Sequence, residues 1–145
     1  MTKKEILIMM MRAYLGVPYI FGGSSPQGID CSGLVLELLK AVGVYPSKGD
    51  NTAAGLANYY KAANMKMNIE FGDLLFFGKS SSEISHVAFA VSADQMFESG
   101  GGDASTTTVL EALKREARVR IRPIKSRSDL VLVATPPYNF ERTAA

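Results

Sequence analysis

The chain has 145 residues, with one cysteine, one histidine and no tryptophan. That length fits one domain, the lone cysteine excludes an intramolecular disulfide, and one cysteine with one histidine falls short of the four ligands of a structural zinc site. Hydrophobic residues make up 47% and charged ones 21%, the balance of a globular fold, and the net charge of +2 points to no class of partner.

The chain opens with two lysines and an apolar run, Ile6–Met11, bounded by Glu5 and Arg12. A secretory leader takes about 7–15 apolar residues and a membrane span about 20. The segment therefore reads as an amphipathic helix, Lys3–Leu15, stopped by Gly16-Val17-Pro18. The expectation is a chain made in the cytoplasm, with no membrane span. Tyr19–Ile29 reads as a glycine-rich loop. In Cys31–Val42, residues Leu34, Val35, Leu38, Leu39 and Val42 form one apolar helical face. Asp30 is its candidate N-cap and Gly43 its candidate C-cap. Asn51 is a candidate cap for a third helix, Thr52–Ala63.

Strands are expected next, at Leu74–Phe77, His86–Val91, Gln95–Glu98, Ala117–Ile124 and Leu130–Ala134. A tight loop at Gly100–Asp103 and a short helix at Thr107–Lys114 lie between the third and fourth. The alternation in Ala117–Ile124 predicts a half-buried strand with its arginines in solvent. Helices first and strands later imply an α+β domain over residues 1–145, with N-terminal helices packed on an antiparallel sheet of about five strands. Lys114–Arg127 holds seven basic residues and one acidic. It reads as a solvated face, since no nucleic-acid-binding motif accompanies it. Gly78-Lys79-Ser80 resembles the end of a phosphate-binding loop, but Asp73 stands where that loop needs its first glycine.

Cys31 falls at the first turn of its helix, between Asp30 and Ser32. The positive end of a helix favours a thiolate, and its free N–H groups suit a developing oxyanion. His86 opens a strand and is the candidate base. In a hairpin through Ser92–Asp94, Glu98 returns beside His86, where a carboxylate can fix the tautomer and stabilise the imidazolium. Asp103, beyond the glycine run, is less well placed. The hairpin reading implies that Glu98 adds a full negative charge to the site and raises the His86 pKa.

Pro18–Gly23 (PYIFGG), Asp30–Gly33 (DCSG), Gly72–Phe77 (GDLLFF) and His86–Ala88 (HVA) resemble, in order and spacing, the NlpC-type papain-like cysteine peptidases of bacterial cell walls. The resemblance runs from about Tyr14 to Gly102. It implies a papain-like fold with Cys31 as nucleophile and His86 as base. Tyr19 matches the family tyrosine that lines the S2 side and helps shape the oxyanion site. Asp30 and Ser32 match positions that bind the free amino end of a stem peptide in some members. The implied substrate is a peptidoglycan stem peptide, cut between D-glutamate and the diamino acid, with no metal or cofactor. The third catalytic position, commonly histidine, falls by spacing on Glu98. The segment Met96–Asp103 (MFESGGGD) resembles phage-borne members, which implies a lysin or tail-tip hydrolase with phage tail or lysis proteins as partners. Two rival readings keep the fold: a thiol amidase or acyltransferase acting at another bond, and a non-catalytic tail or wall-binding module.

Overall fold

Thr2 and Glu5 cap each other's end of the first helix, α1 (Lys3–Tyr14), in a reciprocal capping box. Its buried stripe, Leu7, Met11 and Tyr14, faces the core. The computed structural model describes residues 1–64 and 68–140, so the last five residues of the expected domain lie outside the described residues. The expected loop at Tyr19–Ile29 contains a small antiparallel ribbon, β1 (Ser24–Ser25) and β2 (Gly28–Ile29).

Asp30 is the N-cap of α2 (Cys31–Ala41), its side chain accepting from the Gly33 N–H. Val42 closes the helix and Gly43 follows at φ +75°, the left-handed step that glycine takes freely. The third helix, α3 (Ala53–Tyr59), is shorter than expected and is capped by Thr52, not by Asn51. Asn51 instead accepts from the Thr52 N–H. Lys61 turns to φ +53°, which ends the helical path, and Ala63–Asn64 forms β3.

The remaining elements are β4 (Leu74–Gly78), β5 (Ile84–Ala90), β6 (Gln95–Gly100), α4 (Val109–Arg115), β7 (Arg118–Pro123), a 3-10 turn at Ile124–Ser126, and β8 (Leu130–Ala134). The main sheet has six strands in the order β3-β8-β4-β5-β6-β7, not about five. The extra strand, β3, is two residues long, too short to leave a pattern in sequence. The described neighbours pair antiparallel. This is the expected α+β architecture, with the N-terminal helices packed on the sheet.

Strand alternation splits the sheet's side chains between two cores. Leu74, Phe76, Val87, Phe89, Phe97 and Val119 pack with the helices. Leu75, Phe77, Ala88, Ala90 and Met96 form the second cluster, closed by Ile124 and Val133. His86 and Glu98 share the parity of Ala88 and Met96, so they sit on the second face of their strands. Strand β7 departs from expectation. Ile121 is 49% exposed, whereas Arg120 and Arg122 are half-buried against Glu98. The arginines are drawn inward because a carboxylate removed from water costs several kcal/mol unless it is paired. No helix among the described residues is long and apolar enough to cross a membrane.

Candidate active site

The site joins a helix start to the ends of two strands. Asp30 builds the helix start: Oδ1 accepts from the Gly33 N–H at 2.8 Å, and Oδ2 from the Gly22 N–H at 3.0 Å. One side chain thus ties the glycine loop to the first turn of α2. A second tie comes from the sheet. Ser99 donates its hydroxyl to the Ile29 carbonyl at 2.7 Å, in a buried hydrogen bond two residues before Cys31. The residue next to Glu98 therefore holds the chain that delivers the thiol.

Cys31 is half-buried and stands near the His86 ring, close enough to act on its titration. The other face of His86 meets Glu98: Nε2 lies 2.8 Å from Oε1. With Nε2 engaged there, Nδ1 is the nitrogen left for the thiol. The Phe77 ring flanks the imidazole, centroids 5.7 Å apart. Glu98 is fully buried. Its second oxygen, Oε2, accepts from Arg120 Nε at 3.1 Å and lies 2.9 Å from Arg122 Nε. The Arg122 N–H is not aimed along a hydrogen bond. Arg120 thus supplies a directed bond and Arg122 a close charge. The pairing register carries this arrangement, because Glu98 lies directly opposite Arg120 across β6 and β7.

The electrostatics follow from these contacts. Burial alone pulls the His86 pKa down; the hydrogen bonds and charges of Cys31 and Glu98 outweigh it, and the net displacement is upward. Burial pushes Glu98 up, but the bond and charge of His86, then the Arg122 charge and the Arg120 bond, hold it at about 2. Held so low, Glu98 carries the full negative charge expected at this position. Two guanidiniums on the far oxygen offset it.

Cys31, His86, Glu98 and Tyr19 line one cleft of about 350 Å³, with Phe21, Ser85, Arg122 and Arg127. Tyr19 is buried, and its hydroxyl is held protonated by burial first and then by the negative charges of Cys31, Asp30 and Asp103. Two glycines make room for these side chains. A Cβ on Gly100 would stand 2.6 Å from Glu98 Oε2, and one on Gly102 would stand 2.2 Å from the Tyr19 ring. Asp30 and Ser32 are not in this cleft. They line an adjoining groove with Glu37, Lys40 and Asp50, and both Asp30 oxygens are occupied by the cap and the loop. Asp103 is also not an orienter of His86, since its carboxylate binds Arg115 and Ser105 on the rim. A larger groove, about 660 Å³ along α3 and β3, contains no nucleophile–base pair.

Sequence reasoning missed Arg120, Arg122 and Arg127. Arg127 is paired with Asp129 through two bonds, 2.9 and 2.8 Å, and lies over the Phe77 ring at 5.0 Å. The alternating arginines of β7 were visible. Which face they occupied depended on a partner strand that begins more than a dozen residues earlier.

The chain is similar to known proteins. The chain is 36% identical over 98 residues to the probable endopeptidase YafL of Escherichia coli, an alignment covering 66% of this chain and 39% of that protein. It is 34% identical over 99 residues to the gamma-D-glutamyl-L-lysine dipeptidyl-peptidase of Bacillus subtilis, covering 66% of this chain and 31% of that protein. The alignments thus span well under half the length of either relative. The crystal structure of a family protein from Bacillus cereus superposes with a TM-score of 0.69 at 22% identity, over 91% of this chain and 39% of that one, a likeness of fold. The NlpC/P60 family pattern matches residues 16–123, which include the cap, the thiol, the imidazole, the carboxylate and both of its arginines, and the chain belongs to that family.

Proposed function

We propose that this domain is a cysteine peptidase that hydrolyses amide bonds in peptidoglycan stem peptides at the bacterial cell wall. The observation that carries the reading is that Cys31, His86 and the buried Glu98 line one cleft, with the His86 ring bonded to Glu98 and close to the thiol. His86 takes the thiol proton on Nδ1, and the sulfur attacks the scissile carbonyl. Helix geometry leaves the first N–H groups of α2 without intrahelical partners, and Asp30 occupies only that of Gly33. The Cys31 N–H and the protonated Tyr19 hydroxyl are the proposed donors to the oxyanion. His86 then returns its proton to the leaving amine. Water, deprotonated by the same imidazole, releases the acyl group and restores the thiol. Glu98 keeps the ring in one tautomer throughout.

The D-glutamyl–diamino acid bond is the proposed site of cleavage, supported by the resemblance in the DCSG and HVA segments and by the bond named for the Bacillus subtilis relative. Asp30 and Ser32 are proposed to line the path of the free amino end through the groove beside the cleft. Delivery by a phage tail or lysis system rests on the Met96–Asp103 segment alone. Digestion of purified peptidoglycan by wild type and Cys31→Ala, with products read by mass spectrometry, tests activity, bond and nucleophile together. Release of free D-glutamyl ends by wild type only is the expected result. Cleavage at another bond would favour an amidase, and no thiol-dependent cleavage at all would favour a wall-binding module.

A further inference from the structure

We propose that Arg120 and Arg122 are positioning residues that make a glutamate serviceable as the third member of the site: they clamp Glu98 Oε2, leave Oε1 for His86, and cancel the charge that a carboxylate brings. The inference rests on the catalytic reading of Cys31 and His86 given above. Its geometric basis is independent of substrate. Glu98 is fully buried and divides its two oxygens, one to His86 Nε2 at 2.8 Å and one to two guanidiniums at 3.1 and 2.9 Å. Among the described residues, neither arginine is ion-paired to another acidic side chain. Gly100 keeps the space beside Oε2 open.

A buried carboxylate paired with imidazolium alone would hold its proton partner too tightly. The imidazolium must still give its proton to the leaving amine, so an overly stable ion pair slows that step. A carboxylate balanced on its far oxygen remains a directed acceptor without a large net field at the ring. Arginine suits this task, since it stays charged and its N–H direction is rigid. The other charged groups around the ring are Cys31 at the start of α2, and Arg127 with Asp129 ahead of β8; Asp103 and Arg115 sit on the rim. Arg127 is bonded to Asp129 and reaches Glu98 through charge alone, so the direct contacts on Oε2 come from β7.

The test uses the full chain, whose one cysteine makes iodoacetamide a site-specific reporter. Alkylation rate against pH shows a step where the imidazolium is lost. In Arg120→Gln and Arg122→Gln the step is expected to move upward by about one pH unit, a tenfold change in the ion-pair equilibrium. With a defined stem peptide, kcat is expected to fall roughly tenfold at neutral pH while KM stays within about twofold. Lysine at either position should restore the profile, since it restores the charge. In a Glu98→Gln background the arginine substitutions should move the step clearly less, because no carboxylate is left to be positioned and only their direct charge remains. An unmoved step in a folded Arg120→Gln/Arg122→Gln protein overturns the proposal. So does a shift of equal size in the Glu98→Gln background, or a loss confined to KM. If the single variants fail to fold, Glu98→Gln is compared with Glu98→Gln/Arg120→Gln/Arg122→Gln, and a further shift of about one pH unit or more overturns it. Wild-type protein that shows the step but cleaves no stem peptide overturns the proposed substrate and leaves the clamp standing.

Discussion

The two halves of the site are built by different means. The thiol half comes from neighbours in sequence: a glycine loop, an aspartate cap and the first turn of a helix, all within Tyr19–Gly33. The carboxylate half comes from three strands, with His86 on β5, Glu98 on β6 and the arginines on β7. The thiol half is half-open to the cleft, whereas Glu98 is sealed. Local chemistry is thus separable from folding in the first half and bound up with it in the second. Substitutions on either side should show that difference.

The largest effect belongs to Cys31→Ala. It should remove hydrolysis by roughly 10⁴-fold or more and leave the melting temperature near wild type, because the helix start is held by Asp30 and Ser99, not by the thiol. A large loss of stability would break the proposed separation. Glu98→Gln comes next. It should lower turnover by roughly 10²-fold and also destabilise the fold, because two guanidiniums lose their counter-charge. Full stability with the wild-type pH profile would mean that the carboxylate half is decoration.

A pH titration of stability sharpens the contrast. Glu98 is held at about 2, below its ordinary value, so its contribution is fully present above the ordinary carboxylate range and is lost as pH falls toward 2. The His86 contribution has the opposite sign: it is present below the usual imidazole value and is lost as pH rises through the elevated folded value. Melting curves should therefore fall steeply on the acid side, and less steeply in Glu98→Gln. Gly100→Ala should cost about 1–3 kcal/mol, since its Cβ would press on Oε2, a side-chain end that His86 and Arg120 hold in place. Calorimetry with the pH–rate profile measures both consequences. The smallest effect is that of Asp30→Ala, about 1 kcal/mol for a lost N-cap, with the alkylation rate of Cys31 reporting any loosening of the loop.

What could be read without coordinates follows the same division. The cap at Asp30, the helix from Cys31 and the short apolar strands have signals within a few residues, and each was found close to its place. The Glu98–His86 pairing was also legible, because one tight hairpin links β5 to β6 and leaves little choice of register. The β7 arginines were not. Alternation shows that Arg118, Arg120 and Arg122 share a face, but not whether that face meets water or a buried acid. The same ambiguity hid Asp30's second bond to Gly22 and the placing of Ser32 in a neighbouring groove.

By itself, then, the sequence determined the fold class and the one candidate thiol–imidazole pair, because the chain has a single cysteine and a single histidine. Only the tertiary structure decided what balances the charge of Glu98. A carboxylate's behaviour depends on what surrounds both of its oxygens. Here one oxygen faces a residue twelve positions away and the other faces residues more than twenty away, so no window of local sequence contains the balance.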